Sequence, residues 1–272
     1  MDRLSSHWRS LNPRTGAGKT SAFALASLLL FLFFPGLVRI AYGQIYVGTS
    51  TGIGEYTTSG ATVNPSLVSG LAFPWGLASD GDNLFVTNSG YTSVAEYTTS
   101  GALVNPSLIP EAQGPLALEG NDLFVTLVDT IGEYTTSGAT VNASLFSVGD
   151  SNLILSVAVE GSDVFVIVGR PLSYPLSNQH PTFNIGEYTT SGATVNASLI
   201  SIPESDVGVG LAVEGTDLFV TNEASGTIAE YTTSGTLLNP SLVSGLNDPQ
   251  GLAVLGNDLF VSNYNDGNGT IG

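Results

Sequence analysis

The 272-residue chain has no cysteine, two histidines and only six lysines and arginines. Each scarcity removes a class of chemistry. Without cysteine there are no disulfides, no zinc–thiolate sites and no thiol nucleophiles. Of the histidines, His7 lies in the leader described below. A Ser-His-carboxylate triad would therefore depend on His180, which sits in Pro-rich loop sequence with no nucleophile elbow nearby. The cations are Arg3, Arg9, Arg14, Lys19, Arg39 and Arg170, whereas only one of the 23 carboxylates, Asp2, precedes residue 40. From Gln44 onward one cation faces 22 carboxylates, 1 − 22 = −21. Such a surface repels phosphate backbones and anionic headgroups, which argues against a nucleic-acid partner and admits cations. The same charge also keeps a repetitive protein soluble.

What is present is apolar and rich in turn formers: 42 % hydrophobic residues, 33 glycines and only 11 % charged residues. This composition suits an all-β protein of many short strands and has too much apolar content for a disordered chain. Residues 1–20 are polar and basic, Ser21–Val38 is apolar, and Arg39-Ile40-Ala41-Tyr42-Gly43-Gln44 follows. Basic region, apolar core, Pro35-Gly36, then small residues at Ala41 and Gly43 form a signal-peptide pattern. It places cleavage after Gly43, a mature start at Gln44, and the protein outside the cell or in its envelope, with membrane contact only during export. The competing reading is an uncleaved anchor, since 18 apolar residues lie near the lower limit for a span. Gly16-Ala17-Gly18-Lys19-Thr20 imitates the end of a phosphate-binding loop, but Pro13 occupies the first glycine's place and no strand precedes it.

Internal repetition decides the fold. EYTTSG occurs five times, beginning at Glu55, Glu96, Glu133, Glu187 and Glu230, with spacings of 41, 37, 54 and 43. Each unit carries four strand signals. Strand a is GLAV-like, at 76–79, 115–119, 156–160, 210–214 and 251–255. Strand b is LFVTN-like, at 84–88, 123–127, 164–168, 218–222 and 259–263, with 45–49 as a sixth copy. Strand c is IGEYTT-like and strand d ATVNASLI-like. Four antiparallel strands per repeat predict the blades of a β-propeller, with a at the channel and d at the rim. A β-helix needs shorter coils, and a sandwich does not repeat its sequence. The count predicts six blades over residues 44–272, the first lacking strand a and the last lacking strand d, as in a chain truncated within its sixth strand c. An alternative is five blades, with the N-terminal c–d strands completing the C-terminal a–b pair.

The pattern P-x-G-L-A-V-x-G-x-D-L-F-V-T-N followed by G-x-I-x-E-Y-x-x-x-G resembles the NHL repeat, most closely at 249–263 and 74–88. The wording is also similar to exported bacterial propellers that often carry a PEP-CTERM sorting tail, although the tail is absent. The resemblance implies fold and export and assigns no activity.

The five repeated Glu residues are spread around a ring, so they read as structural. Asn88, Asn222 and Asn263 end three b strands, where metal-dependent propeller hydrolases hold an ion. Hard oxygen ligands there would suit Ca²⁺, although Asn also simply forms turns. Sequons stand at Asn142, Asn196 and Asn268; the first two read as by-products of the repeat, because their sister positions read Asn-Pro-Ser at Asn64, Asn105 and Asn239. The a–b and c–d turns are nearly uniform, while the d–a and b–c loops differ in every unit, as on a scaffold with one working face. That face is bordered by Trp75, Tyr91, Glu111, Asp150, Arg170, Tyr174, His180, Asp206 and Asp248. The resulting expectation is an exported, non-catalytic propeller that binds a glycan, peptide or surface component. The alternative is a divalent-metal-dependent hydrolase or lyase at the channel mouth, and a purely structural envelope role is a third reading.

Overall fold

The computed structural model describes residues 38–41, 43–88, 92–150, 152–169, 183–203, 209–263 and 270–271, with the backbone alone for 38–41 and 270–271. All regular structure among them is strand. The first sheet is β1 (Val38–Ala41), β2 (Gln44–Gly48), β3 (Gly52–Thr57) and β4 (Thr62–Ser69). The second is β5 (Pro74–Ser79), β6 (Asn83–Asn88), β7 (Ser93–Thr98) and β8 (Leu103–Pro110). The third is β9 (Leu116–Glu119), β10 (Asp122–Thr126), β11 (Thr130–Thr135) and β12 (Thr140–Ser147). The fourth is β13 (Leu153–Glu160), β14 (Asp163–Gly169), β15 (Phe183–Thr189) and β16 (Thr194–Ile202). The fifth is β17 (Leu211–Glu214), β18 (Asp217–Asn222), β19 (Thr227–Thr232) and β20 (Leu237–Ser244). A three-stranded sheet follows, of β21 (Pro249–Leu255), β22 (Asp258–Asn263) and β23 (Thr270–Ile271).

Every sheet is an antiparallel meander. The innermost strands β1, β5, β9, β13, β17 and β21 each touch the next, and β21 touches β1, so the sheets close into a ring. Two expectations are corrected. The first blade does not lack strand a: β1 supplies it, pairing Val38 with Val47 through Ala41 with Gln44. Six blades were expected, the first and last incomplete; the described residues instead form five four-stranded blades, and a three-stranded sheet fills the remaining sector.

Packing follows from the sequence pattern. Strands a and b are apolar on both faces because both faces meet neighbouring blades. Phe85, Phe124, Phe165 and Phe219, one per strand b, are at most 1 % exposed, each stabilising the fold by roughly 1.5–3 kcal/mol. Strand d is the outer edge and is largely exposed. Each d strand is bulged twice against strand c, and three carry a proline at the bulge, Pro65, Pro106 and Pro240. Bulges and prolines blunt an edge that would otherwise pair with other chains. The c–d turn glycines fit against the preceding blade: Gly101 (φ 87°) lies on the Leu67 carbonyl and Gly192 (φ 87°) on that of Leu145, leaving no room for a Cβ.

A hydroxyl staple joins the inner strands. Thr87 Oγ1 accepts from Gly76 N–H at 2.5 Å and donates to the Gly114 carbonyl of the next blade at 2.7 Å. Thr221 Oγ1 likewise accepts from Gly210 N–H (2.9 Å) and donates to the Gln250 carbonyl (3.3 Å), and Ser262 Oγ accepts from Gly251 N–H (2.9 Å). The third and fourth blades break the pattern. Pro115 replaces the glycine and has no N–H, which leaves Thr126 Oγ1 buried without a partner. Ile167 replaces the threonine opposite Ser156, whose Oγ is also buried without a partner.

Candidate functional site

The d–a and b–c loops emerge at one end of the ring, and the a–b and c–d turns at the other. The two ends differ in backbone as well as in sequence. All five described non-glycine residues with positive φ lie in d–a or b–c loops: Phe73 (54°), Thr92 (46°), Glu111 (64°), Val128 (73°) and Asp248 (53°). The opposite turns reach positive φ with glycine. A left-handed conformation strains a side-chain-bearing residue, most of all β-branched Val128, by an amount on the order of 1–3 kcal/mol. Strain of this kind gathers where function over-determines the backbone. Phe73 and Val128 also expose apolar surface there, at 53 % and 50 %.

A second feature of this end is a bulge where the inner strand enters the ring. The register shifts between Pro74 and Gly76, between Ile154 and Ser156, and between Pro249 and Gly251, so Trp75, Leu155 and Gln250 are the extra residues. A bulge re-aims the side chain of its extra residue. At Gln250 the consequence is visible. Its Nε2 donates to Asp248 Oδ1 at 2.8 Å and to Glu223 Oε1 across the blade boundary. Glu223 follows directly on β18, and Asp248 precedes β21. One primary amide thus holds two carboxyl groups together. Burial first, then the hydrogen bond and negative charge of Asp248, push Glu223 from 4.5 up to about 7, against a lowering bond from Gln250. Glu223 therefore keeps its proton to higher pH than an ordinary carboxyl group.

The expected face residues divide three ways. Tyr91, Arg170, Tyr174, His180 and Asp206 lie outside the described residues. Trp75 and Asp248 are part-buried at the entries to the inner strands β5 and β21. Glu111 and Asp150 are exposed in d–a loops. Of the metal candidates, Asn88 Oδ1 accepts from Ala72 N–H (3.0 Å), Asn222 Nδ2 donates to Thr227 Oγ1 (3.2 Å), and Asn263 Oδ1 is buried without a partner. They end strands of three different sheets, two of them already bond other protein groups, and among the described residues no three His, Asp or Glu come together. Asn142 and Asn196 each accept from the N–H of the serine two residues on (3.1 Å), as Asn64, Asn105 and Asn239 do in the copies that are not sequons. The glycosylation motifs therefore share an ordinary turn of the repeat. Glu223 and Gln250 are absent from the expected set. The signal for Gln250 was a polar residue where the sister repeat has Trp75 in P-x-G-L.

The opposite end has its own carboxylates. Glu160 accepts from Gly215 N–H at 3.3 Å across a blade boundary. Burial and then the charge of Glu160 raise both Glu119 and Glu214 above 4.5. The repeated Glu96, Glu133 and Glu187 are raised by burial and then by Asp80, Asp122 and Asp163, one aspartate to each glutamate and on the same blade.

No protein-family model matches the sequence, and no curated protein matches it. Solved structures do match its shape. Virginiamycin B lyase from Staphylococcus aureus is similar at TM-score 0.58 and 16 % identity, over 86 % of this chain and 94 % of that one. The fold is a β-propeller. A putative oxidoreductase (glucose dehydrogenase) from Thermus thermophilus is similar to this propeller at TM-score 0.65 and 14 % identity, over 90 % and 98 % of the two chains. A gluconolactonase from Xanthomonas campestris is similar at 0.64 and 12 %, over 88 % and 83 %. Identities this low carry the fold alone.

Proposed function

We propose that this chain is an exported, acidic propeller that binds a ligand on its d–a and b–c loop face, and that the ligand is rich in cationic or hydrogen-bond-donor groups. The observation that carries this reading is the Glu223–Gln250–Asp248 cluster at the entry of an inner strand. It presents carboxyl oxygens from two blades at one point of a face that holds all the described non-glycine backbone strain. The 22 carboxylates after residue 43 favour the same ligand chemistry. The test is a panel of basic peptides and neutral glycans, each titrated against the wild type, Asp248→Asn and Trp75→Ala. Loss of binding in both variants supports the reading. Unchanged binding in both rejects it.

A second reading is acid–base catalysis at the same cluster, favoured by the elevation of Glu223 to about 7 beside Asp248. Similarly folded proteins include a lyase and a gluconolactonase. In this reading the protonated Glu223 is the acid and Asp248 holds it in place. Turnover of a lactone or ester panel by the wild type, lost in Glu223→Gln, would establish it. No turnover by the wild type would remove it.

A further inference from the structure

The strand Val38–Ala41 bears on how the chain is processed. It pairs with β2 at four consecutive positions, from Val38↔Val47 to Ala41↔Gln44, and touches the inner strands on both sides, β5 and β21. Gly43, at φ 85°, sits in the tight turn between β1 and β2, and its carbonyl accepts from Thr58 N–H at 3.2 Å. Cutting after Gly43 would take one innermost strand out of the ring, the strand that touches both β5 and β21. It would also leave β2 as an unpaired edge, although Ile45 and Tyr46 are 0 % exposed. Ala41 and Gly43, the two small residues of the expected cleavage site, therefore lie inside the folded unit. Between Phe34 and Ala41 the sequence Pro-Gly-Leu-Val-Arg-Ile has Gly36 as its single small residue, so it provides no other such site.

The register also fixes where the leader departs. Val38 lies opposite Val47, at the end of β2 that runs into the b–c loop, while Ala41 lies at the a–b turn. Val38, the first described residue, thus lies on the d–a and b–c side of the ring. We propose that residues 38–43 belong to the finished propeller and that the apolar run Ser21–Leu37 stays joined to them, tethering the propeller to a lipid bilayer from its d–a and b–c side. The inference rests on the pairing of β1 and stands whatever that face binds.

The test uses the full chain expressed with its leader in a secreting host. Amino-terminal sequencing and intact mass should show a start upstream of Ser21, and alkaline carbonate should leave the protein in the membrane pellet. A soluble product starting at Gln44 overturns the proposal. A soluble product starting between Pro35 and Val38 overturns the tether and upholds the retained strand. Ile40→Pro in the same full chain supplies the second arm. It removes an inner-strand N–H next to the turn and should lower Tm by about 5 °C or more. Arg3→Gln in the leader should leave Tm unchanged. A Tm unmoved by Ile40→Pro would overturn the placement of β1 in the ring.

Discussion

Thr87→Val and Thr126→Val are the same chemical change at equivalent places in adjacent blades, and the structure assigns them opposite outcomes. Thr87 is 1 % exposed, and its hydroxyl holds Gly76 N–H and the Gly114 carbonyl. Valine keeps the shape, so the loss is the pair of hydrogen bonds and the partner groups left in an apolar environment. At roughly 1–3 kcal/mol for each unsatisfied group, the cost is about 2–4 kcal/mol once partial relaxation is allowed for. For a domain of this size that is a fall in Tm of about 5–15 °C. Thr126 is 2 % exposed, and its Oγ1 has no partner, because Pro115 carries no N–H. Removing that hydroxyl relieves a buried polar group and should leave Tm unchanged or raise it by a few degrees, on the order of 1 kcal/mol. Thermal unfolding followed by circular dichroism reads both. A fall of equal size in the two variants would refute the staple as the source of the difference.

Other outcomes follow from the same contacts. Pro115→Gly gives Thr126 a backbone donor, and the double variant Pro115→Gly/Thr126→Val should be less stable than Pro115→Gly alone, reversing the sign seen in the parent. A positive double-mutant-cycle coupling measures it. Glu223 has a folded pKa of about 7 against 4.5, so the folded state holds the proton more tightly than the unfolded one. Its contribution is fully present below pH 4.5, falls as the pH rises through that window and is gone above about 7. Denaturant titrations across pH 4–8 should show this decline, and Glu223→Gln should flatten it. Tyr188 stacks on Phe146 with ring centroids 3.9 Å apart, so Phe146→Ala should cost about 3–5 kcal/mol by urea unfolding. Val141→Ala, on the exposed rim, should cost under about 0.5 kcal/mol.

The propeller was legible because its signal is repeated. The LFVTN-like segments lie on strands b, each EYTTSG copy ends strand c and turns into strand d, and the expected bounds fall within a few residues of those observed. Turn chemistry was legible for the same reason: a glycine after each strand a reads as a two-residue hairpin, as at Gly120 between Glu119 and Asp122. Val38–Ala41 was not legible. VRIA shares no letters with GLAV at matching places, and it adjoins an apolar run that reads as a leader. An inner strand needs only apolar alternation and a partner, and that requirement is too weak to stand out from such a background. The loop face was legible as a contrast between uniform and varied segments, which named Asp248 and Trp75. The cluster itself was not, because Glu223 and Gln250 are 27 residues apart on different blades and meet only through a bulge. A polar residue in an otherwise apolar strand signal was the one available cue, and the regularity of the surrounding repeat hid it.

The claim that one end of the ring is the binding face is tested most directly by two charge-matched variants. Asp248 lies on the d–a loop face, and Asp258 is exposed at an a–b turn on the other. Isothermal titration of a ten-residue lysine peptide against the wild type, Asp248→Asn and Asp258→Asn compares removal of the same charge from each end. The account predicts that Asp248→Asn weakens binding by about tenfold, near 1.4 kcal/mol, while Asp258→Asn changes it less than about twofold. Equal weakening by the two would show that the peptide responds only to net charge, and greater weakening by Asp258→Asn would place the working face at the opposite end.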